Sequence, residues 1–264
     1  MLRRVEIVLV RHAESIWNAE GRWQGQTDVP LSEQGRAEAA KLGARLANAH
    51  FDRRIASDLM RTRDTAAAIG ADFVHDPAWR EFDLGAWGGL LHSEVRERFP
   101  DEVQAMAMGT DMPIGGAESM VTFDARVHRA LDAVIASGRD GERVIVVTHG
   151  GVIRSIVMRL LGLRGRPLIG ATNTSITHLR VDPERRVRIV SYNCGAHLDA
   201  SDTPHDDEIL EGAPDDIVRR VATRLGIGDA QRVHLHPPRP GSITRLVRGT
   251  AHPVLRSFAT PAFG

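Results

Sequence analysis

The chain has little cysteine, little lysine and no long hydrophobic run. Its single cysteine, Cys194, excludes a framework of internal disulfides and suits a reducing compartment. Lys41 is the only lysine, so the positive charge is almost entirely arginine. No stretch approaches the roughly 18 apolar residues of a membrane helix, and the apolar stretch near the N-terminus is too short for a signal peptide. We therefore expect a soluble, cytoplasmic protein without a membrane partner.

An excess of charge of one sign is also missing. The 264 residues carry a formal net charge of zero, which gives no indication of a nucleic-acid partner or of an anionic membrane surface. The length suffices for one large domain, or for one domain with a small appendage, and for an ample core. The expected class is an ordinary globular protein.

Strand-like and helix-like segments alternate along the first 198 residues. Short β-branched runs such as VIVVT, at residues 144–148, are typical of buried strands, and segments with apolar residues at helical spacing lie between them. This alternation favours an α/β fold, a three-layer sandwich with a mostly parallel central sheet flanked by helices. The predicted strands are 5–10, 54–57, 144–148, 176–181 and 187–192, and the predicted helices are 31–49, 58–69, 94–108, 121–137 and 152–161.

The composition changes after about residue 198. Residues 199–218 contain eight acidic residues and neither lysine nor arginine, whereas residues 219–264 contain eight arginines and one acidic residue. We assign residues 1–198 to one main domain and residues 199–264 to a C-terminal extension of unknown role, which packs on the domain or is partly flexible. One helix is predicted in the extension, over residues 215–225.

Two of the predicted strands end in the same way. IVLV is followed by Arg11 and His12, and VIVVT is followed by His149 and two glycines. Ligands of open α/β sheets bind beyond the carboxyl ends of the strands, where helix N-termini favour anions. Arg61, one turn into the helix predicted from residue 58, can reach the same edge. Two arginines and two histidines around one anion indicate a phosphate site.

Each of these four residues has a simpler explanation when it is taken alone. A histidine at the end of a strand is more often a satisfied structural group than a catalyst. An arginine in this arginine-rich chain is usually solvated or in a weak surface pair. Their coincidence favours one functional site over four separate structural roles.

Longer segments around these residues form a recognisable series. The segment LVRHAESIWNAEGRWQGQTDVPLSEQGRAEA is followed by SDLMRTRDTA, WREFDLGAWGG, GGAES, VIVVTHGGVIR and ATNTSITHL. In order and spacing this series resembles the histidine phosphatase superfamily, also called the phosphoglycerate mutase-like family, and within it the phosphatase branch. The resemblance covers about residues 5–198 and implies the same α/β sandwich.

The resemblance implies a role for each residue at the predicted anion site. His12 matches the family nucleophile, whose imidazole attacks phosphorus to form a phosphohistidine. Arg11, Arg61 and His149 match the residues around the transferred phosphoryl group, whose charge they would stabilise. Glu81, in WREFDLG, matches the general acid that protonates the leaving oxygen and then activates water. No metal and no cofactor are implied, because these side chains supply the charge neutralisation.

Further positions match the family outside this catalytic set. Asn18 and the backbone around Gly150 would add neutral hydrogen-bond donors for the phosphate. From the residues alone, Asp83 competes with Glu81 for the acid role, and the family pattern selects Glu81. The positions that match the substrate entrance are Glu14, Ser15, Gln24 and Gly25.

Two positions depart from the family pattern. Most members have glycine after the Arg-His pair, where this chain has Ala13. The Cβ of alanine disfavours a positive φ, so we expect a loop with negative φ here and no loss of activity. GGAES, at residues 115–119, is one residue longer than the usual GGES.

The same site is compatible with two reactions and with one non-enzymatic role. We predict a metal-independent phosphomonoesterase for a small phosphorylated metabolite, since the stretch from Glu81 to Glu118 is short and lacks the basic motif of the mutase branch. The alternatives are a cofactor-dependent phosphoglycerate mutase and a non-enzymatic phospholigand-binding module, and the retention of all five catalytic residues argues against the module. The expected partner is a small phosphate ester and not nucleic acid, and a homodimer is compatible with the sequence.

Overall fold

The computed structural model describes residues 4–163, 170–195, 197–198, 207–210, 214–225, 235, 242–247 and 254–261. The strands of its central sheet are β1 (Val5–Arg11), β2 (Arg53–Ala56), β3 (Val74–His75), β4 (Glu142–Thr148), β5 (Ile176–Val181) and β6 (Val187–Cys194). They lie in the order β3-β2-β4-β1-β5-β6. The first three pairings in this order are parallel, and the two pairings of β5 are antiparallel. The predicted α/β fold with a mixed, mostly parallel sheet is confirmed.

Helices cover both faces of the sheet. They are α1 (Ile16–Ala19), α2 (Glu33–Leu46), α3 (Met60–Ile69), α4 (His92–Arg98), α5 (Pro100–Met108), α6 (Met120–Ser137) and α7 (Gly150–Leu161). Alternate residues of a strand point to opposite faces, and β1 follows this rule. Ile7 and Leu9 pack in the core cluster that contains α6 and α7, whereas Val8 packs in a second cluster with α2 and α3. The three predicted layers result from this alternation.

One predicted helix is wrong in its extent. The segment 94–108 forms two helices, α4 and α5, which are separated at Phe99 with φ −131° and ψ 49°. Pro100 explains the break, because its ring disfavours the helical conformation of the preceding residue and it has no N–H to donate. The helix predicted from residue 31 begins at Glu33, since Ser32 is its N-cap and accepts the N–H of Gly35.

The two central strands end side by side. Arg11 is in register with Thr148, and His12 donates its backbone N–H to the Thr148 carbonyl at 2.9 Å. The residues that follow β1 and β4 are therefore placed next to each other at the carboxyl edge of the sheet. Both strands are buried on both faces, so this edge is held rigidly.

The C-terminal region adds β7 (Asp207–Leu210), α8 (Pro214–Leu225), β8 (Ser242–Val247) and β9 (Val254–Pro261). β9 pairs with β6 at Tyr192 and Phe258, which extends the sheet by β9, β8 and β7. α8 confirms the predicted helix and contributes Val221 to the same core cluster as α6 and α7. The division of the chain at residue 198 remains a prediction. None of the helices in the described ranges is long and apolar enough to cross a membrane.

Candidate active site

β1 delivers His12 to the carboxyl edge of the sheet. The residue is 3% exposed, and its Nδ1 lies 2.7 Å from the carbonyl oxygen of Ala13. A carbonyl oxygen can only accept, so Nδ1 carries the proton and Nε2 keeps its lone pair. Burial, and then the positive charges of Arg61 and Arg11, hold the pKa of His12 well below its usual value. His12 is therefore neutral near pH 7, with Nε2 unprotonated.

His149 faces His12 from the end of β4, where it is the N-cap of α7. The two ring centroids are 5.2 Å apart. His149 Nε2 lies 2.9 Å from the hydroxyl oxygen of Ser57, and its Nδ1 is buried with no hydrogen-bond partner among the described residues. Burial, followed by the charge of Arg61, lowers the pKa of His149 well below its usual value. This imidazole is also neutral near pH 7 and can donate one hydrogen bond.

Two arginines lie beside the histidines: Arg61 is fully buried, and Arg11 is partly buried. Arg61, in the first turn of α3, donates to the carbonyls of Thr27 and Gly25, each at 2.8 Å. Arg11 donates to the carbonyl of Ala171 at 2.6 Å. Burial lowers the pKa of Arg61 to about 10, which leaves it charged at neutral pH. In the part of the chain that the structure describes, neither Nε has a hydrogen-bond partner, and buried cations with unused donors favour an incoming anion.

Glu81 reaches the N-terminus of α7 from the loop after Trp79. Its Oε2 accepts the backbone N–H of Gly151 at 2.9 Å, and its Oε1 accepts the N–H of Phe82 at the same distance. Burial lowers the pKa of Arg11, and the negative charge of Glu81 opposes that shift. The carboxylate therefore lies within electrostatic range of the arginines while two backbone groups fix its orientation.

The structure places the two carboxylates that the sequence offers for the acid role in different surroundings. Asp83 Oδ1 accepts the backbone N–H of Gly85 at 3.1 Å, whereas the carboxylate that reaches the α7 terminus is that of Glu81.

Ala13 is fully buried and donates its N–H to Thr65 Oγ1 at 2.9 Å. Among the described non-glycine residues, a positive φ occurs only at Asp72, Thr174, Arg185 and Asn193, so the φ of Ala13 is negative. The expected negative φ is confirmed, and the Cβ of Ala13 fits there without backbone strain.

Three of the predicted outer residues form one hydrogen-bonded group around α1. Ser15 is the N-cap of α1 and is fully buried, and its hydroxyl donates to Gln24 Oε1 at 2.7 Å. Asn18 Oδ1 lies 3.2 Å from the backbone nitrogen of Ser15 and 3.3 Å from Nδ2 of Asn173. This group ties the loop after β1 to the segment that precedes β5.

The other three outer residues are placed differently. Glu14 Oε1 accepts the hydroxyl of Ser32 at 2.7 Å, which links the loop to α2. Gly25, at φ 53°, presents its carbonyl to Arg61. Gly150 begins α7, and a Cβ built on it would lie 3.3 Å from Arg11 Nε. The carbonyl of Gly25 therefore binds Arg61 directly, and the lack of a side chain at Gly150 leaves space beside Arg11.

Sequence reasoning missed three residues of this site. Ser57 contacts His149, and it follows β2 directly, so the same pattern of a polar residue after a strand could have indicated it. Gly151 is the second glycine of THGG, and its N–H donates to Glu81 Oε2, whereas the sequence indicates only donors for the phosphate around Gly150. Asn173 donates from Nδ2 to the carbonyl of His12 at 3.0 Å, a contact across the sheet edge that has no local signal.

The arrangement as a whole is suited to a tetrahedral anion. A neutral imidazole with an available lone pair lies close to two guanidinium groups, and a second imidazole faces it. A carboxylate stands at the nearby start of a helix. Such a site can bind a phosphoryl group, accept it on nitrogen and exchange protons with its ester oxygen.

Comparisons with known proteins identify the class that this fold and site define. Residues 7–195 match the model of the histidine phosphatase superfamily, branch 1. A metal-independent phosphoserine phosphatase of Arabidopsis thaliana is 37% identical over 205 residues, which are 73% of this chain and 83% of the relative. From the same plant, phosphoglycerate mutase-like protein 4 is 36% identical over 202 residues, 74% of this chain and 87% of the relative.

A solved structure shows the same likeness in three dimensions. The mycobacterial glucosyl-3-phosphoglycerate phosphatase aligns with 72% of this chain and 99% of its own, with a TM-score of 0.64 and 31% sequence identity. The chain therefore belongs to the histidine phosphatase superfamily, branch 1. The prediction of an enzyme of the phosphomonoesterase class is confirmed at the level of this family.

Proposed function

We propose that the chain hydrolyses a small phosphorylated metabolite through a phosphohistidine on His12, with Glu81 as general acid and base and without a metal ion. The observation that carries the proposal is the state of His12. Its Nδ1 is bound to a carbonyl and its pKa is lowered by burial, so Nε2 holds a lone pair beside two cations that attract phosphate.

In the first step, His12 Nε2 attacks phosphorus, a P–N bond forms and the ester P–O bond breaks. Negative charge spreads over the three non-bridging oxygens, where Arg11, Arg61 and a hydrogen bond from His149 stabilise it. Glu81, protonated at this stage, transfers its proton to the departing oxygen, and the alcohol leaves neutral.

In the second step, water replaces the alcohol. The Glu81 carboxylate takes a proton from water as the water oxygen attacks phosphorus, the P–N bond breaks and inorganic phosphate forms. His12 returns to the neutral tautomer that its contact with Ala13 favours. Glu81 is then protonated and ready for the next ester.

The proposed substrates are alkyl monoesters of small molecules. The relatives named phosphoserine phosphatase and glucosyl-3-phosphoglycerate phosphatase support this class. An alkoxide is a poor leaving group, which is the case in which an acid at the position of Glu81 has most effect. The cytoplasmic location and the homodimer remain predictions.

The test is hydrolysis of p-nitrophenyl phosphate by the full chain with EDTA present. We expect turnover without added metal, and its loss on chelation would contradict the metal-independent reaction. His12→Ala should abolish turnover and should also abolish the acid-labile, base-stable labelling of the protein by a phosphate ester. His50→Ala, at a side chain that is 81% exposed, is the matched control and should retain both.

A mutase would transfer the phosphoryl group to a second oxygen instead of to water. The relative named phosphoglycerate mutase-like protein 4 supports testing this reaction. With 3-phosphoglycerate as substrate, we expect release of inorganic phosphate to exceed isomerisation. An excess of isomerisation would replace hydrolysis by the mutase reaction while keeping the phosphohistidine on His12.

A further inference from the structure

We propose that Arg126 and Glu118 form a clamp that positions Glu81, and this inference rests on the proposed acid–base role of Glu81. Arg126 lies on α6, and Glu118 lies in the segment that precedes this helix. Neither residue hydrogen-bonds to His12 or His149, and the charge of Arg126 is only the last of the causes that lower the pKa of His149. Their hydrogen bonds reach the loop that carries Glu81. We call Arg126 and Glu118 the clamp pair.

The Arg126 guanidinium binds the backbone of that loop at three carbonyl groups. Nη1 donates to the carbonyl of Ala78 at 3.1 Å and to that of Arg80 at 2.8 Å, and Nη2 donates to the carbonyl of Glu81 at 3.2 Å. Hydrogen bonds from a charged donor are stronger than neutral ones. The loop is therefore attached to a long helix immediately before and at Glu81.

Glu118 holds both the guanidinium and the other end of the loop. Its two oxygens accept from Nε and Nη2 of Arg126 at 3.1 and 2.9 Å, and Oε2 also accepts the N–H of Asp83 at 3.1 Å. The backbone N–H of Glu118 donates to the Asp83 carbonyl at 3.3 Å. Side-chain exposures of 14% for Glu118 and 21% for Arg126 leave little water to compete.

The loop needs such support because no sheet ladder holds it. Glu81 lies between two short 3-10 helices, Pro77–Trp79 and Gly85–Trp87. At Gly85, a Cβ would lie 2.2 Å from the carbonyl oxygen of Gly115, so the two loops approach at a distance that only glycine permits. The segment that carries Glu118 is thus packed directly on the segment that carries Glu81.

Two backbone contacts of the carboxylate, one from Phe82 and one at the far end from Gly151, complete the geometry. The Glu81 carboxylate accepts the N–H of Gly151, which fixes where its oxygens must lie. The clamp pair fixes the main chain from which that side chain extends. Displacement of a reacting group by about 1 Å can cost on the order of 10²-fold in rate, so loss of the clamp should act on proton transfer to the leaving group.

The test compares two esters that differ in their need for an acid. The leaving group of glycerol 2-phosphate is an alkoxide, which needs a proton from an acid. The leaving group of p-nitrophenyl phosphate is a stable phenolate, which does not. The ratio kcat/KM covers the steps up to departure of the alcohol, so it isolates the first step for both esters. Arg126→Ala should lower kcat/KM by on the order of 10²-fold with glycerol 2-phosphate, and much less with p-nitrophenyl phosphate.

The matched control is Arg129→Ala, an exposed arginine on the same helix, and it should retain both activities. Arg126→Lys keeps the charge but not the planar fork, so it should fall between wild type and Arg126→Ala. Glu118→Gln keeps the shape of the second partner and should show the same preference for the aryl ester. These two variants carry the test if Arg126→Ala does not fold.

A double-mutant cycle separates positioning from a general effect on the fold. In a Glu81→Gln background, Arg126→Ala should cost nothing further with glycerol 2-phosphate, because the acid that it positions is already absent. Equal losses on both esters, or losses that add in the Glu81→Gln background, would overturn the clamp. Absence of activity in the wild-type chain with both esters would overturn the proposed function as well, which is a distinct result.

Discussion

Gly151 donates its backbone N–H to Glu81 Oε2 at 2.9 Å, and a Cβ on Gly151 would lie 2.1 Å from Glu81 Oε1. The carboxylate therefore occupies the space that any other residue would fill. The absence of a side chain at this position is a requirement of the site, because the obstructing atom would be the carboxylate itself. The second glycine of THGG has a specific function in the proposed chemistry.

Gly151→Ala should displace the Glu81 carboxylate and lower kcat/KM for alkyl phosphates by on the order of 10²-fold. Gly150→Ala is the graded comparison, since its Cβ would lie 3.3 Å from Arg11 Nε, and it should cost less with alkyl esters. The measurement is kcat/KM for both variants with glycerol 2-phosphate and p-nitrophenyl phosphate. A Gly151→Ala enzyme with wild-type rates on the alkyl ester would show that Glu81 need not be fixed there.

The two buried histidines should make stability depend on pH. Burial holds the pKa values of His12 and His149 well below the usual value, which is about 6.5 in an unfolded chain. Below that pH the unfolded chain binds more protons than the native protein. In this range the free energy of unfolding therefore decreases as the pH falls and increases as the pH rises. The slope should be about 1.4 kcal/mol per pH unit for each histidine.

Urea unfolding at several pH values below about 6.5 measures this slope. His12→Gln should reduce the slope by about one proton, whereas His50→Gln, at an exposed side chain, should leave it unchanged. A slope that His12→Gln does not alter would mean that His12 binds its proton equally in both states.

Ser57→Ala should remove the hydroxyl that lies against His149 Nε2. An unpaired buried polar group costs about 1–3 kcal/mol, and the imidazole that faces His12 would lose a contact that orients it. We expect this loss in the free energy of unfolding, together with a fall in kcat on the order of tenfold. Ser93→Ala, at an exposed position of α4, is the control. Unchanged stability and kcat in Ser57→Ala would exclude an orienting role for this hydroxyl.

The sequence predicts those strands, helices and site residues whose positions depend on neighbouring residues in the chain. The β-branched runs of β1 and β4 must be buried, and two such strands in parallel place His12 and His149 together. Pro100 divides a predicted helix through its steric effect on Phe99. The spacing of apolar residues alone does not reveal this effect. The contacts of Arg126 were outside the reach of sequence, because three carbonyls of a distant loop carry no side-chain signal.

The packing of α8 yields the last prediction, which concerns the C-terminal region. Leu225 is 3% exposed and belongs to the same core cluster as α6 and α7. Leu225→Ala should therefore lower the free energy of unfolding of the whole protein by about 2–5 kcal/mol. Arg219→Ala, at an exposed site on the same helix, should change it by less than about 0.5 kcal/mol. A first transition at low urea, with the main transition unchanged in Leu225→Ala, would instead show that α8 unfolds separately from the domain that carries His12.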